Sequence, residues 1–172
     1  MTDLKLCWHK LDNAAKIPTK LNEDAGYDIY TIENNVVIPA HEQYMFKTGL
    51  QVYIEGDYWL MGFDRGSTGS KGLHLHCGVV DKGYRGEIFV CIKNDNDYPA
   101  LFTDMVDKPT KVEDENYGGV TLLYPITKAI AQLIPVKMPE VDSREVSDAE
   151  WGRLNFTHPT EREEGKLGSS GK

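Results

Sequence analysis

Cysteine is scarce in this chain: Cys7, Cys77 and Cys91 are odd in number and widely spaced among 172 residues. They support no disulfide framework, and such low usage favours a reducing compartment. Basic residues are also in deficit, 19 Lys and Arg against 27 Asp and Glu, for a net charge of −8. An acidic chain is poorly suited to coating nucleic acid, where affinity comes from counterion release by Lys and Arg. Direct nucleic-acid binding is therefore not expected, and an anionic ligand must be met by a local basic cluster or a metal. Long apolar runs are missing too. The longest is a handful of residues, whereas a membrane-spanning helix takes about 20. The opening MTDLKLCWHK has no apolar signal-peptide core. The expectation is a cytoplasmic protein with no membrane contact.

What is there is the composition of one ordinary globular domain, 40% apolar and 27% charged. Short segments rich in β-branched and aromatic residues recur every ten or so positions, from Leu4–His9 and Ala25–Thr31 to Ala129–Pro135, with Gly, Asn, Asp and Pro between them. This pattern predicts an all-β fold, a sandwich or barrel. One short helix is expected where Ser147 and Glu150 make a capping-box spacing ahead of Trp151 and Leu154. Two segments break the rhythm. Asn94 to Lys128 opens with Asn-Asp-Asn-Asp and is too long for a hairpin loop. The tail after Pro159, TEREEGKLGSSGK, is polar and rich in glycine. The expected layout is a β domain over 1–159 with an insertion at 94–128, then a flexible tail over 160–172. The insertion is read as a surface excursion with Val120–Tyr124 as its returning strand.

Four places carry candidate chemistry. Gly66-Ser-Thr-Gly-Ser-Lys-Gly72 has the exposed amides and lysine of a phosphate loop, but it lacks the Gly-Lys-Ser/Thr ending of the nucleotide P-loop, so a surface turn is the simpler reading. Gly78-Val-Val-Asp81-Lys-Gly-Tyr84-Arg-Gly-Glu reads as a hairpin whose tip sets a carboxylate beside an aromatic ring. The ring can stack on a sugar or base while the carboxylate orients a water. Asp28 enters a strand, where a solvated edge position is the ordinary explanation. His74 and His76 alternate and share a face, but a zinc site needs further ligands and none stands nearby.

Taken together and in order, these segments resemble the trimeric, all-β dUTPases. Ala25-Gly-Tyr-Asp28-Ile looks like the first of that family's five motifs, and Arg65-Gly-Ser-Thr-Gly stands where the second is expected. The Gly78–Glu87 segment is close to the third and most specific. Ile130-Ala-Gln132-Leu-Ile matches the fourth, and Arg162-Glu-Glu-Gly-Lys-Leu-Gly-Ser-Ser-Gly171 resembles the glycine-rich fifth. The chain also departs from the pattern. Gly66 sits where the family has a phosphate-contacting serine, and Asp64 replaces a proline. Ala129 replaces an arginine, Leu167 stands for the aromatic that lies over uracil, and Glu163 and Lys166 replace glycines. The long segment 94–128 resembles the insertion of some phage-encoded members.

The resemblance implies a distorted jelly-roll or barrel-like sandwich that forms homotrimers. It implies Mg²⁺-dependent hydrolysis of dUTP to dUMP and pyrophosphate, which limits uracil incorporation into DNA and supplies dUMP for thymidylate synthesis. Asp81 would be the general base. Tyr84 would pack under the deoxyribose, and the backbone of Gly78, Val79 and Val80 would pair with uracil. Arg65, Gly66, Ser67 and Gln132 would line the phosphates. From the tail, Arg162, Ser169 and Ser170 would close over the γ-phosphate, with Leu167 at the position above uracil and Gly168 also among the substrate-binding residues. Asp28 would reach the Mg²⁺ ion through water, as suits an ion that keeps its hydration shell. The third, fourth and first-to-second motifs would come from different subunits. The alternative reading is a nucleotide-binding or regulatory protein of the same fold with weak catalysis, and the insertion could hold a protein partner. If the chain is phage- or virus-encoded, it would act in the host cytoplasm.

Overall fold

The computed structural model describes residues 4–160. Its strands are β1 (Lys5–Lys10), β2 (Tyr27–Ile29), β3 (Val36–Ile38), β4 (Gln43–Lys47), β5 (Leu50–Glu55), β6 (Tyr58–Phe63), β7 (Leu73–His76), β8 (Val79–Val80) and β9 (Phe89–Asn94). They continue with β10 (Ala100–Thr103), β11 (Thr110–Asp114), β12 (Gly119–Pro125) and β13 (Ala131–Lys137). One helical turn, α1 (Gly66–Gly69), lies between β6 and β7, and α2 (Asp148–Thr157) follows the last strand.

The period-2 rule explains the layering. In β5, Leu50, Val52 and Ile54 are buried while Tyr53 and Glu55 face out. Four open sheets result, in the orders β1-β5, β11-β12-β10-β3, β2-β13-β6-β8 and β4-β9-β7; they do not close into a barrel. All pairs are antiparallel except β10 with β12. Between the sheets lies one core, in which Ile29, Ile38, Leu60, Leu73, Ile92 and Ile130 are fully buried.

The segment 94–128 differs from the expected surface excursion. Its two ends are core strands. Ala100, Phe102, Leu122 and Tyr124 are fully buried. Phe102 packs between Phe46 and Tyr124, with ring centroids 4.6 and 5.2 Å apart. Asn94, at the head of the polar run, is buried as well, and its Nδ2 donates to the carbonyls of Ile38, Pro39 and Tyr98. A polar group at zero exposure is tolerated there because every donor is used. The excursion between Thr103 and Gly119 leaves the core, and β11 pairs with β12 within it.

The Gly78–Ile88 segment is not a hairpin. β8 pairs with β6, while β9 pairs with β4 and β7, so the Asp81–Tyr84 turn carries the chain from one sheet to another. The compact β unit ends at Pro139. In the second unit Ser147 caps α2, accepting from the Glu150 amide at 3.3 Å, and Arg144 pairs with Glu150 at 2.6 Å. No helix among the described residues is long and apolar enough to cross a membrane.

Candidate active site

The sheet β2-β13-β6-β8 positions most of the singled-out residues. Asp28 on β2 is register partner to Gln132 on β13, and Gln132 in turn faces Phe63 on β6. The chain leaves β6 at Asp64 and turns sharply into α1. Thr68 fixes that turn. It is fully buried, and its hydroxyl accepts from the Arg65 amide and donates to the Arg65 carbonyl, both at 3.1 Å. Arg65 is thereby brought back over β2, and its Nε lies 2.8 Å from Asp28 Oδ1. Gln132 Nε2 donates to the Asp64 carbonyl at 2.8 Å. Gly26 makes this closeness feasible, since a Cβ there would sit 2.6 Å from Gln132 Oε1.

These residues enclose a polar cleft of about 220 Å³ lined by Asp24, Ala25, Gly26, Asp28, Arg65, Gly66 and Gln132. Segments far apart in the chain thus meet at one place. A guanidinium, an amide side chain and an open glycine line it, which suits an anionic ligand of several oxygens. Burial pushes the Asp28 carboxyl above its ordinary value; Arg65 pulls it back down, and Asp24 raises it further. A larger hollow of about 600 Å³ lies at the turn between β11 and β12, but Glu113 and Glu115 line it with no basic side chain among its described lining residues to offset them, whereas Arg65 offsets Asp28 in the cleft.

Asp64, in the place of the expected proline, is an anchor that the sequence reading missed. Its Oδ2 lies 2.8 Å from His74 Nδ1, and its Oδ1 accepts from the Leu75 amide. The alternation of His74 and His76 was a signal for it, since it faces His74 toward the β6 exit. Ser67 also behaves differently from the expectation of a phosphate contact. Its Oγ is 3.1 Å from the hydroxyl of Tyr124, and it does not line the cleft. Burial pushes the Tyr124 phenol up, against the pull of the Ser67 hydrogen bond and of Arg65.

The third segment lies apart from the cleft. Gly78 lets β8 approach β6 closely. The Gly62 amide donates to the Gly78 carbonyl at 2.5 Å, and a Cβ on Gly78 would lie 2.8 Å from Gly62 O. Val79 is opposite Met61 and Val80 opposite Leu60, so β8 runs away from Phe63 and hence from Gln132. Asp81 is about four residues along and two strands across from Gln132, roughly 16 Å at ~3.3 Å per residue and ~4.8 Å per strand. Asp81 is exposed, as are Val79 and Tyr84. The Tyr84 hydroxyl donates to the Glu87 carbonyl at 2.8 Å. Gln132, by contrast, shares a cleft with Asp28 and Arg65 in one chain, so the fourth segment is not supplied to that cleft by a neighbouring subunit. Arg162, Leu167, Gly168, Ser169 and Ser170 lie outside the described residues.

An open β fold with a polar cleft suited to an anion, and a carboxylate–aromatic turn after β8 of the same sheet, points to a class of β proteins with a small-ligand site. Known proteins narrow this. The dUTPase family model matches residues 12–100. The deoxyuridine 5'-triphosphate nucleotidohydrolase of Candida albicans is 30% identical over 159 residues, covering 91% of this chain and 82% of its own length. A mutant of Staphylococcus bacteriophage 80alpha dUTPase with dUpNHpp superposes with a TM-score of 0.72 at 26% identity, covering 98% of this chain and 99% of that one. The chain is also 32% identical over 108 residues to the Pol polyprotein of Ovine maedi visna related virus, covering 59% of this chain and only 10% of the polyprotein. The chain belongs to the dUTPase family, as a phage-like member.

Proposed function

We propose that this chain hydrolyses dUTP to dUMP and pyrophosphate with Mg²⁺, in sites shared between the subunits of a homotrimer. The observation that carries the reading is the cleft in which Asp28, Arg65, Gly66 and Gln132 meet from three separate segments. The Candida relative is named for this substrate, and the phage relative is named with dUpNHpp, which replaces a bridging oxygen of the triphosphate by nitrogen.

In this reading Arg65 and Gln132 bind and orient the phosphates. The backbone of Gly78–Val80 pairs with the uracil edge, and a thymine methyl is excluded by contact with that strand. Tyr84 packs under the deoxyribose and leaves no room for a 2′-hydroxyl. Asp81 holds a water in line with the α-phosphorus and takes its proton as the new P–O bond forms and the α–β bridging bond breaks. A carboxylate is a weak base at neutral pH, so positioning supplies much of the effect. Arg162, Ser169 and Ser170 of the tail close over the γ-phosphate and exclude water. Mg²⁺ fits the residues present. Asp28 is a partly exposed carboxylate with Asp24 beside it in the cleft lining, and it would hold through water an ion that keeps its own hydration shell. Such an ion neutralises triphosphate charge.

Distance supports a site completed by another copy of the chain. A general base works within hydrogen-bond reach of its water, whereas Asp81 is roughly 16 Å from Gln132 along the sheet. A neighbouring copy that presents its Asp81–Tyr84 turn to this cleft completes the site. Cytoplasmic action fits the scarcity of cysteine. The test is incubation with Mg²⁺ and each deoxynucleoside triphosphate in turn. Pyrophosphate is expected from dUTP alone. Asp81→Asn should lower the rate by ~10²–10⁴-fold while sparing binding of dUpNHpp. Near-wild-type turnover in that variant would remove Asp81 from the role.

A further inference from the structure

Tyr124 lies near the end of β12, and the chemistry proposed above makes no use of it. It is fully buried and packs against Phe102. Its hydroxyl has two neighbours, the Ala129 carbonyl oxygen at 3.0 Å and Ser67 Oγ at 3.1 Å. Proton inventory settles the direction of both bonds. A phenol has one proton and a carbonyl oxygen has none. Tyr124 therefore donates to Ala129 and accepts from Ser67. The Ser67 proton is used inside the fold, and it is the neighbouring Gly66 that lines the cleft. The two ends of this link belong to different parts of the site. Ser67 lies in the turn that opens with Arg65, and Ala129 leads into β13, which carries Gln132.

We infer that Tyr124 is a positioning residue for triphosphate binding. Through its one hydroxyl it ties the Arg65–Gly69 turn to the head of β13, and Ser67 acts through this link rather than as a phosphate ligand. The inference rests on the dUTP reading for its functional consequence, but not for the link itself. A segment that resembles an insertion thereby holds the spacing between two phosphate-binding side chains, Arg65 and Gln132. Whatever else residues 104–119 do, the strand that returns from them is part of the substrate site's frame.

Two variants test it. Tyr124→Phe keeps the ring and removes the hydroxyl; Ser67→Ala removes the donor. Without ligand, amide exchange of residues 66–70 should quicken by roughly 2- to 10-fold in each, as suits the loss of one hydrogen bond, with β5 amides unchanged. KM for dUTP should rise over the same range while kcat stays within about twofold. Because both variants break one link, the double variant should be no worse than the worse single one. Unchanged exchange at 66–70 overturns the inference, even if the melting temperature falls. A KM that rises in Ser67→Ala but not in Tyr124→Phe also overturns it, since Ser67 would then touch phosphate itself. If the wild-type chain leaves dUTP intact, the functional reading fails separately, and the exchange measurement still decides whether Tyr124 holds the turn.

Discussion

Asp28 meets two opposed demands at a single carboxylate. Its charge pairs with Arg65 and, in the proposed reading, would face a hydrated cation, yet burial disfavours that charge and raises its proton affinity. The folded chain thus holds this proton more tightly than the unfolded chain does. The resulting stabilisation is complete below the ordinary value of 3.8 and is lost as pH rises through the raised folded value. At neutral pH the ionised group is a net burden on the fold. Asp28→Asn should therefore melt no lower than wild type at pH 7 while losing most of kcat/KM, and a melting temperature several degrees lower would mean that the Arg65 pair outweighs burial. Gly66 poses the converse case. A Cβ there meets nothing within 4 Å, and the residue lines the cleft. Gly66→Ser should fold normally and lower KM for dUTP by about tenfold, the lower end for one hydrogen bond to a charged group. An unchanged or higher KM would show that the phosphates do not reach this position. Residue identities in the short motifs were legible from sequence because each sits at a fixed offset from a glycine or an arginine. The partner of Ser67 was not, because Tyr124 lies 57 positions away and nothing local encodes that contact; for Asp64, the alternation of His74 and His76 gave a face but not the partner 10 positions earlier.

At the scale of elements, alternation was readable wherever one strand face is buried. The β5 pattern is an example, and the capping signal at Ser147 marked the start of α2 correctly. The reading failed where polar punctuation sits inside the core. Asn94-Asp-Asn-Asp looks like the mouth of a surface loop, but Asn94 spends its side-chain amide on three carbonyls and turns the chain from β9 into β10. The consequence is that the ends and the middle of segment 94–128 should respond differently to change. Phe102→Ala removes a ring packed between Phe46 and Tyr124, and its cost should be about 3–5 kcal/mol in denaturant unfolding. Replacement of Asp104–Gly119 by a short Gly-Ser linker should leave the rest of the fold and its assembly state unchanged, since only β11 and the 3₁₀ turn after it are lost. A linker variant that precipitates, or a Phe102→Ala cost under about 1 kcal/mol, would reverse that division of the segment.

At the scale of the molecule, sequence order makes Asp81 look like a neighbour of Arg65, and register makes it distant. β8 runs antiparallel to β6 and carries the chain away from the Gln132 row. No motif spacing contains that direction; the resemblance implied shared sites, and the sheet register adds a physical reason for proposing them. The proposed assembly has a direct test by complementation. Asp81→Asn chains keep an intact cleft, and Arg65→Ala chains keep an intact Asp81 turn; neither alone should turn over dUTP appreciably. If each site takes its cleft from one subunit and its Asp81 from another, subunits exchanged at equal amounts give a functional pair at about one site in four, by random assortment in a cyclic trimer. Pyrophosphate release should then recover to about a quarter of the wild-type rate after exchange, and the mass of the mixed species should remain that of three chains. Full exchange with no recovered activity would mean that Asp81 and Arg65 must lie in the same chain to act together, and the turn would then have to fold back across roughly 16 Å of its own sheet to reach the cleft.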